Sequence, residues 1–385
     1  MKKLAATAAL LAPLASEVRI ARSSRLLTDH WQSVPVEPRR TIALGISFRP
    51  LQAESFGLAA EPALETLLQY PFDTIRLAAY WNRIEPKPDT FCTDEIDWQI
   101  DRTERAGKRI ILSLGPIKNF GYPEYFVPDH VLTAPLPEGT RIEPADYPAF
   151  LSAATAFIVR LVRRYADRRS IIAWQIEHDA VDPLGMEHSW RLSKSLVRRE
   201  IEAVRAADPT RPVLLNGFLP TSSAVRIQQW WRTRDQGDSL DVATELADLI
   251  GIDFYPRHAL FGVGPISVYL DGSRKRWQQR RRQTIARRVV RNGRRLLVSE
   301  GQAEPWEAVT TPPSPTARAM YSCPPERLIE NYNQCMQWDD ITTYLFWGAE
   351  YWLLRDKQGD PRYLKAFERV LTESAPGSRT TSRQP

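Results

Sequence analysis

Two short stretches of the sequence end an apolar run with ionisable side chains. Residues 174–179 read Trp-Gln-Ile-Glu-His-Asp, so three ionisable groups follow an apolar segment directly. Residues 296–302 read Leu-Leu-Val-Ser-Glu-Gly-Gln, and this run delivers a single carboxylate, Glu300. A carboxylate in such surroundings is costly unless it is paired or used. Two carboxyl groups that face each other are suited to acid, base or nucleophilic catalysis.

The elements that would position these groups are eight short and nearly continuous apolar segments. Such segments are typical of parallel strands that are buried on both faces. Helical periodicity fills intervals between them, as in Ala63–Gln69, Ile96–Ala106, Ala149–Tyr165 and Leu192–Ala206. Strand and helix alternating eight times predict an α/β fold of the (β/α)8 TIM-barrel type. The predicted strands are Thr41–Phe48, Thr74–Trp81, Arg109–Gly115, Ile171–Glu177, Pro212–Phe218, Leu249–Pro256, Arg294–Gly301 and Thr343–Trp352.

The barrel is predicted to span residues 41–372 as one domain with long loop insertions. Two Pro-rich insertions, residues 118–146 and 302–326, follow the C-terminal ends of strands, where barrel enzymes build their sites. Residues 1–40 are predicted to form an N-terminal leader. Residues 373–385 are rich in Ser, Thr, Arg and Pro and are predicted to be a disordered tail.

The N-terminal leader has two interpretations. The basic start Met1-Lys2-Lys3 and the apolar run Leu4–Ala15 have the length of a signal peptide. The cleavage site near Ala15 is weak, because Pro13 intrudes, and a helix that packs on the domain is the rival interpretation. The sequence leaves secretion or the cell envelope open beside a cytoplasmic location, and it slightly favours the latter. No apolar run reaches the ~18 residues that a membrane span needs.

Carboxylates at the ends of the fourth and seventh barrel strands would face each other across the barrel mouth. Glycoside hydrolysis needs such a pair, because one carboxyl protonates the leaving oxygen while the other attacks or activates water. A separation of ~5–5.5 Å gives retention of configuration, and ~6.5–9.5 Å gives inversion. The chain also contains 12 Trp, whose flat faces suit sugar rings. These features indicate an enzyme that cleaves O-glycosidic bonds.

The chain resembles the clan A glycoside hydrolases, and most closely family 5 and its relatives. Many members end strand four with Trp-Gln-(Val/Ile)-Glu-Asn-Glu, in which the last residue is the acid/base. Residues 174–179 match this motif, with Asp179 in the acid/base position and His178 in that of Asn. The nucleophile of the clan, a Glu that ends strand seven, matches Glu300. The strand-two Arg that supports the nucleophile matches Arg76, the strand-six aromatic residue matches Tyr255, and the strand-eight Trp beneath the sugar matches Trp347. The resemblance covers about residues 41–370.

The resemblance implies a retaining glycosidase with Asp179 as acid/base and Glu300 as nucleophile. Dense polar and aromatic clusters beyond the strand ends favour a closed pocket and exo action. The pattern resembles an actinobacterial-type subgroup that includes galactofuranosidases, so β-galactofuranosyl linkages of a cell-wall galactan are the expected substrate. The residues expected to bind the oligosaccharide or polysaccharide are Arg76, Glu177, His178, Tyr255, Glu304 and Trp347.

Two departures from the clan pattern keep alternatives open. Asp179 is one methylene shorter than the Glu of the clan, and proton donation needs ~2.6–3.2 Å between heavy atoms. Either the backbone lies closer to the sugar, or Glu177 takes the role, or catalysis is impaired. The alternative function is therefore a carbohydrate-binding barrel that has lost efficient catalysis.

Other classes of partner and cofactor have little support. The net charge of +6 would suit nucleic acid, but only Arg274–Arg295 is densely basic, and it is typical of a solvated helix. Cys92, Cys323 and Cys335 lack a metal-binding spacing and are predicted to be buried apolar residues, with a Cys323–Cys335 disulfide left open. Nucleotide-binding glycine motifs are absent from the sequence. We therefore predict no nucleic-acid partner, no metal and no cofactor, and the oligomeric state stays open.

Overall fold

The computed structural model describes residues 16–22, 27–132, 134–182, 190–263, 266–272, 276–306, 322–338 and 340–375. Eight parallel strands close into a barrel in sequential order, and each predicted segment contributes one of them. The predicted (β/α)8 barrel is therefore confirmed. The barrel strands are β1 (Ala43–Ser47), β2 (Thr74–Ala78), β3 (Arg109–Ser113), β4 (Ile171–Gln175), β5 (Val213–Phe218), β6 (Leu249–Phe254), β7 (Arg295–Gln302) and β8 (Ile341–Trp347).

The barrel interior is packed in two zones of different composition. A layer of aliphatic side chains from six strands fills its centre, as is usual for this fold. Aromatic rings dominate the zone at the C-terminal ends of the strands, which we call the mouth. The central layer consists of Ile111, Ala173, Leu214, Leu249, Leu297 and Leu345. The apolar cluster of the mouth consists of Ala78, Tyr80, Phe120, Phe126, Phe218, Tyr255 and Trp347.

Helices cover the outside of the barrel or extend its loops. Arg362–Glu373 shows why they form, since it buries Tyr363, Phe367 and Val370 on one stripe and exposes its polar face. Gly107 ends a helix with a φ of 69°, a conformation that favours glycine. The α-helices are Pro50–Ser55, Ala60–Leu68, Trp81–Ile84, Asp94–Arg105, Pro148–Tyr165, Lys194–Ala207, Ser223–Thr233, Ser239–Leu246, Arg276–Arg291, Pro325–Met336, Ala349–Lys357 and Arg362–Glu373. Short 3₁₀ helices lie at His30–Gln32 and Asp129–Val131.

The last barrel strand ends earlier than predicted. β8 stops at Trp347, and Gly348 turns the chain with a φ of 131° into the helix Ala349–Lys357. Trp352 lies in that helix, where its indole N–H donates to the Ala303 carbonyl at 2.8 Å. The prediction that the strand extends to Trp352 was wrong, because a buried helix and a buried strand present the same continuous apolar run.

A small antiparallel sheet was not predicted. Val18–Arg22 pairs with Ile266–Asp271, which also pairs with Arg257–Val263 directly after β6. Glu17 accepts hydrogen bonds from the backbone N–H and hydroxyl of Ser223 at 2.9 and 3.0 Å. Part of the predicted N-terminal leader therefore contacts the barrel loops. A two-residue pair joins Arg141–Ile142 to Arg191–Leu192. Residues 1–15 and 376–385, which contain most of the predicted signal-like run and tail, lie outside the described residues.

The cysteines are unpaired. Cys323 and Cys335 are buried as predicted, and they form no disulfide with each other. Cys92 is exposed, so the prediction that it is buried was wrong. Among the described residues, no helix combines the length and the apolar character that crossing a membrane requires.

Candidate active site

A β-bulge in β7 aims Glu300 into the mouth. In the pairing of β7 with β6, Val298 and Glu300 each have a partner residue, whereas Ser299 between them is extra. Bulges bend a strand and redirect side chains, and they are frequent beside active sites. Gly251 of β6 makes room for this bulge, because a Cβ at that position would lie 2.6 Å from the Ser299 hydroxyl oxygen. The local sequence therefore specifies where the carboxylate points.

Two donors hold the carboxylate of Glu300. Arg76 of β2 donates from Nη2 to Oε1, and Tyr255, directly after β6, donates its hydroxyl to Oε2 at 2.7 Å. Burial raises the pKa of Glu300, but the charge of the Arg76 guanidinium and the hydrogen bonds from Arg76 and Tyr255 act in the opposite direction, and the pKa lies below its ordinary value. Glu300 is therefore ionised near neutral pH.

The turn after β4 brings Asp179 and His178 to the same mouth. Glu177 and Asp179 have φ values of 51° and 43°, which side chains other than glycine adopt rarely. Burial raises the pKa of Asp179 well above its ordinary value, and the negative charges of Asp253, Asp182 and Glu300 add to the effect. Asp179 thus keeps its proton under conditions in which Glu300 has lost its own.

Asn216 of β5 joins the groups of the mouth. Its Nδ2 lies 2.9 Å from His178 Nδ1, 2.5 Å from Asp253 Oδ2 and 3.5 Å from Asp179 Oδ1. Its Oδ1 accepts a hydrogen bond from Gln175 Nε2 at 3.0 Å. This last contact fixes which way the amide points. The two N–H groups of Asn216 therefore lie within hydrogen-bond reach of three neighbours, and Asn216 is the common link between β4, β5 and β6.

The imidazole of His178 is neutral and has an assigned tautomer. Because Asn216 donates to Nδ1, the ring proton lies on Nε2, which stays available as a hydrogen-bond donor. Burial lowers the pKa of His178 to about 4, so the ring makes no ion pair near neutral pH with Glu300, whose Oε1 lies 3.6 Å from Nδ1. Contacts of 3.5, 2.9 and 3.6 Å thus lead from Asp179 through Asn216 and His178 to Glu300, which limits the separation of the two carboxyl oxygens to about 10 Å.

Asp253 of β6 is a further carboxyl group in the mouth. It accepts a hydrogen bond from the Ser299 hydroxyl at 2.6 Å and another from Asn216. Burial raises the pKa of Asp253 to about 7, and the Glu300 charge contributes to this shift. Asp253 therefore links the bulge of β7 to the amide of Asn216 through hydrogen bonds. Its negative charge also raises the pKa of Asp179.

The same groups have the compactness of a metal site, but their donors and acceptors are already matched. Ligand atoms of His178, Asp253 and Glu300 lie within 4.8 Å of one another. Each of them accepts a hydrogen bond from the protein, and Asn216 alone serves two of the three. The Arg76 cation also bonds to Glu300, where it would repel a metal ion. The cluster therefore fits a hydrogen-bonded catalytic network better than a cation site.

Glu177 does not join the cluster around Glu300. Its carboxylate is fully buried and accepts the backbone N–H groups of Ile117, at 3.2 Å, and Lys118. It also interacts with Glu200 on the helix Lys194–Ala207. Burial raises the pKa of Glu177 to about 7 and that of Glu200 well above its ordinary value. The structure therefore gives no support to the expected contact between Glu177 and the substrate, because its oxygens face the protein interior.

Glu304 lies in an ion-pair network beside the mouth. Both of its oxygens accept from the Arg49 guanidinium, at 2.9 and 2.8 Å, and Arg49 also bonds to Glu350. The guanidinium carbon of Arg49 lies 4.2 Å from the centre of the Trp347 ring. Glu304 therefore supports Arg49, which in turn lies against Trp347. Arg49 and Glu350 were not predicted from the sequence.

Aromatic rings and unpaired donors line the mouth. The Arg76 guanidinium stacks 3.9 Å from the Phe120 ring centre, and Trp347 meets Phe120 edge-on at 6.0 Å. Trp306, which is 40% exposed, packs edge-on against Tyr255 at 5.6 Å. Trp347 Nε1 and Arg76 Nη1 are buried without an acceptor among the described residues.

Comparisons with known proteins find relatives in structure only. No protein-family model and no curated protein matches the chain. A GH10 endoxylanase retrieved from a sugarcane soil metagenome is 14% identical with a TM-score of 0.52, covering 86% of this chain and 98% of that chain. Xylanase 10B from Thermotoga petrophila RKU-1 is 12% identical with a TM-score of 0.51, covering 88% and 97%. A GH5_18 variant from Streptomyces cattleya, in complex with Manb1-4GlcNAc, is 13% identical with a TM-score of 0.50, covering 80% and 70%. At these identities the similarity establishes the shared (β/α)8 fold.

The structure brings together most of the predicted site and adds members to it. Arg76, His178, Asp179, Tyr255, Glu300 and Trp347 all meet at the mouth, as the strand-end rule for barrels requires. Asn216 and Asp253 were missed. Their signal in the sequence was a polar residue inside an otherwise apolar strand, the same signal that identified Glu300.

Proposed function

We propose that this protein is a retaining glycoside hydrolase that cleaves O-glycosidic bonds by double displacement. Glu300 is the nucleophile and Asp179 is the acid/base. The observation that carries the proposal is the meeting of two buried carboxyl groups at one barrel mouth, where Arg76 and Tyr255 donate to Glu300 and burial raises the pKa of Asp179. A glycosidase needs that difference, because one group must attack while the other donates a proton.

The first step forms a glycosyl ester on Glu300. Its carboxylate attacks the anomeric carbon, the bond to the leaving oxygen breaks, and Asp179 gives that oxygen its proton. Arg76 and Tyr255 keep the attacking carboxylate ionised and oriented. In the ester the negative charge of Glu300 is gone, so one cause of the raised pKa of Asp179 disappears. Asp179 therefore stays ionised in the second step, in which it takes a proton from water. That water attacks the anomeric carbon, and the bond from the sugar to Glu300 breaks.

The mouth suits one or two sugar units held from several sides. Trp347 offers an indole face and an unpaired N–H, and His178 offers its Nε2–H in the place where the clan has an amide. The expected substrate is a terminal β-galactofuranosyl residue of a cell-wall galactan, and the support for it is the resemblance described above. Exo action is part of the proposal, and its support is the group of aromatic residues at the mouth.

A panel of nitrophenyl glycosides tests the proposal. The panel contains β-galactofuranoside, β-galactopyranoside, β-xyloside and β-mannoside, assayed with the unmodified enzyme and with Glu300→Gln. Glu104→Gln is the matched control, because Glu104 bonds to Arg168 and Ser170 at the opposite end of the barrel. We expect hydrolysis of one class of glycoside, loss of turnover in Glu300→Gln and full turnover in Glu104→Gln.

Trapping the intermediate tests the mechanism. A 2-deoxy-2-fluoro glycoside of the sugar that is hydrolysed should label Glu300, and peptide mass spectrometry locates the ester. The anomer released first, followed by NMR, should have the configuration of the substrate. Label on another carboxylate, or an inverted product, would contradict the assignment.

The short acid side chain at Asp179 supports a second candidate, a carbohydrate-binding barrel with impaired catalysis. In that case the unmodified protein would hydrolyse nothing in the panel yet bind an oligosaccharide in calorimetry. Trp347→Ala should then weaken binding while Glu300→Gln leaves it unchanged.

A further inference from the structure

Lys118 is a buried cation in the loop after β3. Its side chain is fully buried, and its Nζ donates to the carbonyl oxygens of Asp179 at 2.7 Å and Asp182 at 3.0 Å. Across the described residues, no carboxylate oxygen lies within the 4.0 Å of an ion pair with it. Burying an ammonium group is costly, so its two hydrogen bonds must serve a specific arrangement of the chain.

The same residue fixes the turn after β4 at three points. Besides the two carbonyl contacts, the backbone N–H of Lys118 donates to the carboxylate of Glu177. Glu177 and Asp179 are the residues of this turn with positive φ. Such conformations persist only where the surrounding structure holds them. The hydrogen bonds of Lys118, which lies in the neighbouring loop, hold Glu177 and Asp179 in these conformations.

Lys118 is also the positive charge that opposes a group of buried carboxyls. The titratable groups that face Asp179 are Asp253 from β6, Asp182 from its own turn, Glu300 from β7 and Lys118. After burial, the three carboxyls raise the pKa of Asp179 further, and Lys118 lowers it. Lys118 acts in the same direction on Asp182. Without this cation the proton of Asp179 would be held more tightly.

We propose that Lys118 is the positioning residue of the acid/base: it fixes the turn that carries Asp179, and its charge allows Asp179 to give up its proton in the first step and to stay ionised as the base of the second. The inference rests on the proposed function for the role of Asp179. The contacts themselves are independent of that role. A group that must donate a proton and then take one back needs a pKa near the working pH, and the charge of Lys118 opposes the rise in the pKa of Asp179 that burial and the three carboxyls cause.

Lys118→Met and Lys108→Met form a matched pair of variants. Lys108 also donates to two backbone carbonyls, of Tyr70 and Phe72, both at 2.8 Å, but it lies at the opposite end of the barrel. In Lys118→Met we expect the alkaline limb of the pH profile of kcat/KM to move up by about 1 unit or more, because a neighbouring positive charge is lost. At neutral pH, kcat on glycosides with good leaving groups should fall ~10-fold, since the second step needs a base, and azide should restore it. Lys108→Met should lower Tm and leave both the limb and the azide response unchanged.

A variant of opposite sign covers the case in which Lys118→Met does not fold. Asp182→Asn removes a like charge from the same cluster, so the alkaline limb should move down. Titration of ¹³C-labelled aspartate by NMR measures the pKa of Asp179 without any turnover, which separates this inference from the proposed function. An Asp179 pKa that stays the same in Lys118→Met, or that does not fall in Asp182→Asn, would overturn the inference even if the enzyme is a glycosidase. Shifts in the two expected directions would support it even if no substrate is found.

Discussion

The hydroxyl of Tyr255 should set the acidic limb of the activity profile. It donates to the ionised carboxylate of Glu300 at 2.7 Å in a buried site. A hydrogen bond to a charged group contributes ~1.5–3 kcal/mol, and one pKa unit corresponds to ~1.36 kcal/mol. Tyr255→Phe should therefore raise the pKa of Glu300 by about 1–2 units. Because this carboxylate must be ionised to attack, the acidic limb of kcat/KM should move to higher pH by the same amount.

The chain contains a close match for this contact elsewhere. Tyr165 donates its hydroxyl to Asp97 at 2.7 Å, and Arg164 bonds to the same carboxylate, as Arg76 does to Glu300. Tyr165→Phe removes an equivalent hydrogen bond between two outer helices and should lower Tm without moving the limb. The assay is kcat/KM for the best nitrophenyl glycoside over a pH series. An acidic limb that is the same in Tyr255→Phe and in the unmodified enzyme would refute the idea that this hydroxyl stabilises the ionised nucleophile.

Further expected outcomes follow from the same contacts. Glu300→Gln should reduce kcat by ~10³-fold or more while calorimetry shows retained oligosaccharide binding, and a variant that keeps most of its turnover would place the nucleophile elsewhere. Asp179→Ala should slow natural linkages by ~10²–10⁴-fold, spare nitrophenyl glycosides in the first step and respond to azide; an unchanged rate on a natural linkage would remove Asp179 from the mechanism. Glu200→Gln should flatten the pH dependence of unfolding in urea. A carboxyl whose pKa is raised in the folded protein lowers the free energy of unfolding as the pH rises from the unfolded pKa of ~4.3 through the folded pKa. An unchanged slope of the free energy of unfolding against pH above ~4.3 would contradict the buried Glu177–Glu200 pair.

The barrel could be predicted because its strands leave a strong signal. Each is a short apolar run, and all except β8 end within three residues of the predicted position. The sheet formed by Val18–Arg22, Arg257–Val263 and Ile266–Asp271 could not be predicted in this way, because its strands alternate irregularly and lack a buried run. The prediction that β8 extends to Trp352 was wrong because the apolar run is longer than the strand. Apolar residues continue past Gly348 into a buried helix.

The sequence predicts only those residues of the site whose place is set by their position at the end of a barrel strand. Arg76, Tyr255 and Glu300 follow from the position of each residue on its strand. Side chains two residues apart on a strand share a face, which would have placed Glu177 beside Asp179. The positive φ of both residues breaks that alternation, so Glu177 faces the protein interior and Asp179 the mouth.

The protonation of Asp179 shows what distance along the sequence hides. From the sequence alone, the charge of Glu300 across the mouth is the cause one would expect to raise the pKa of Asp179. The pKa of Asp179 is raised in the structure too, but burial is the largest cause, and the charges of Asp253 and Asp182 both contribute more than the charge of Glu300. Asp253 lies far along the chain from Asp179, and only the closed barrel brings their carboxyls together, whereas Asp182 lies three residues after Asp179 in the same turn.

The contacts of the mouth close into a ring, and this couples its two carboxyl groups. Ser299 precedes Glu300 in the bulge and bonds to Asp253, which accepts from Asn216. Asn216 in turn donates to His178, whose Nδ1 lies 3.6 Å from Glu300. Because Asn216 also lies 3.5 Å from the Asp179 carboxyl, a change in the charge of either catalytic group is felt by the donors of the other. The two steps of the reaction need such coupling, since the ester formed on Glu300 must prepare Asp179 to act as a base.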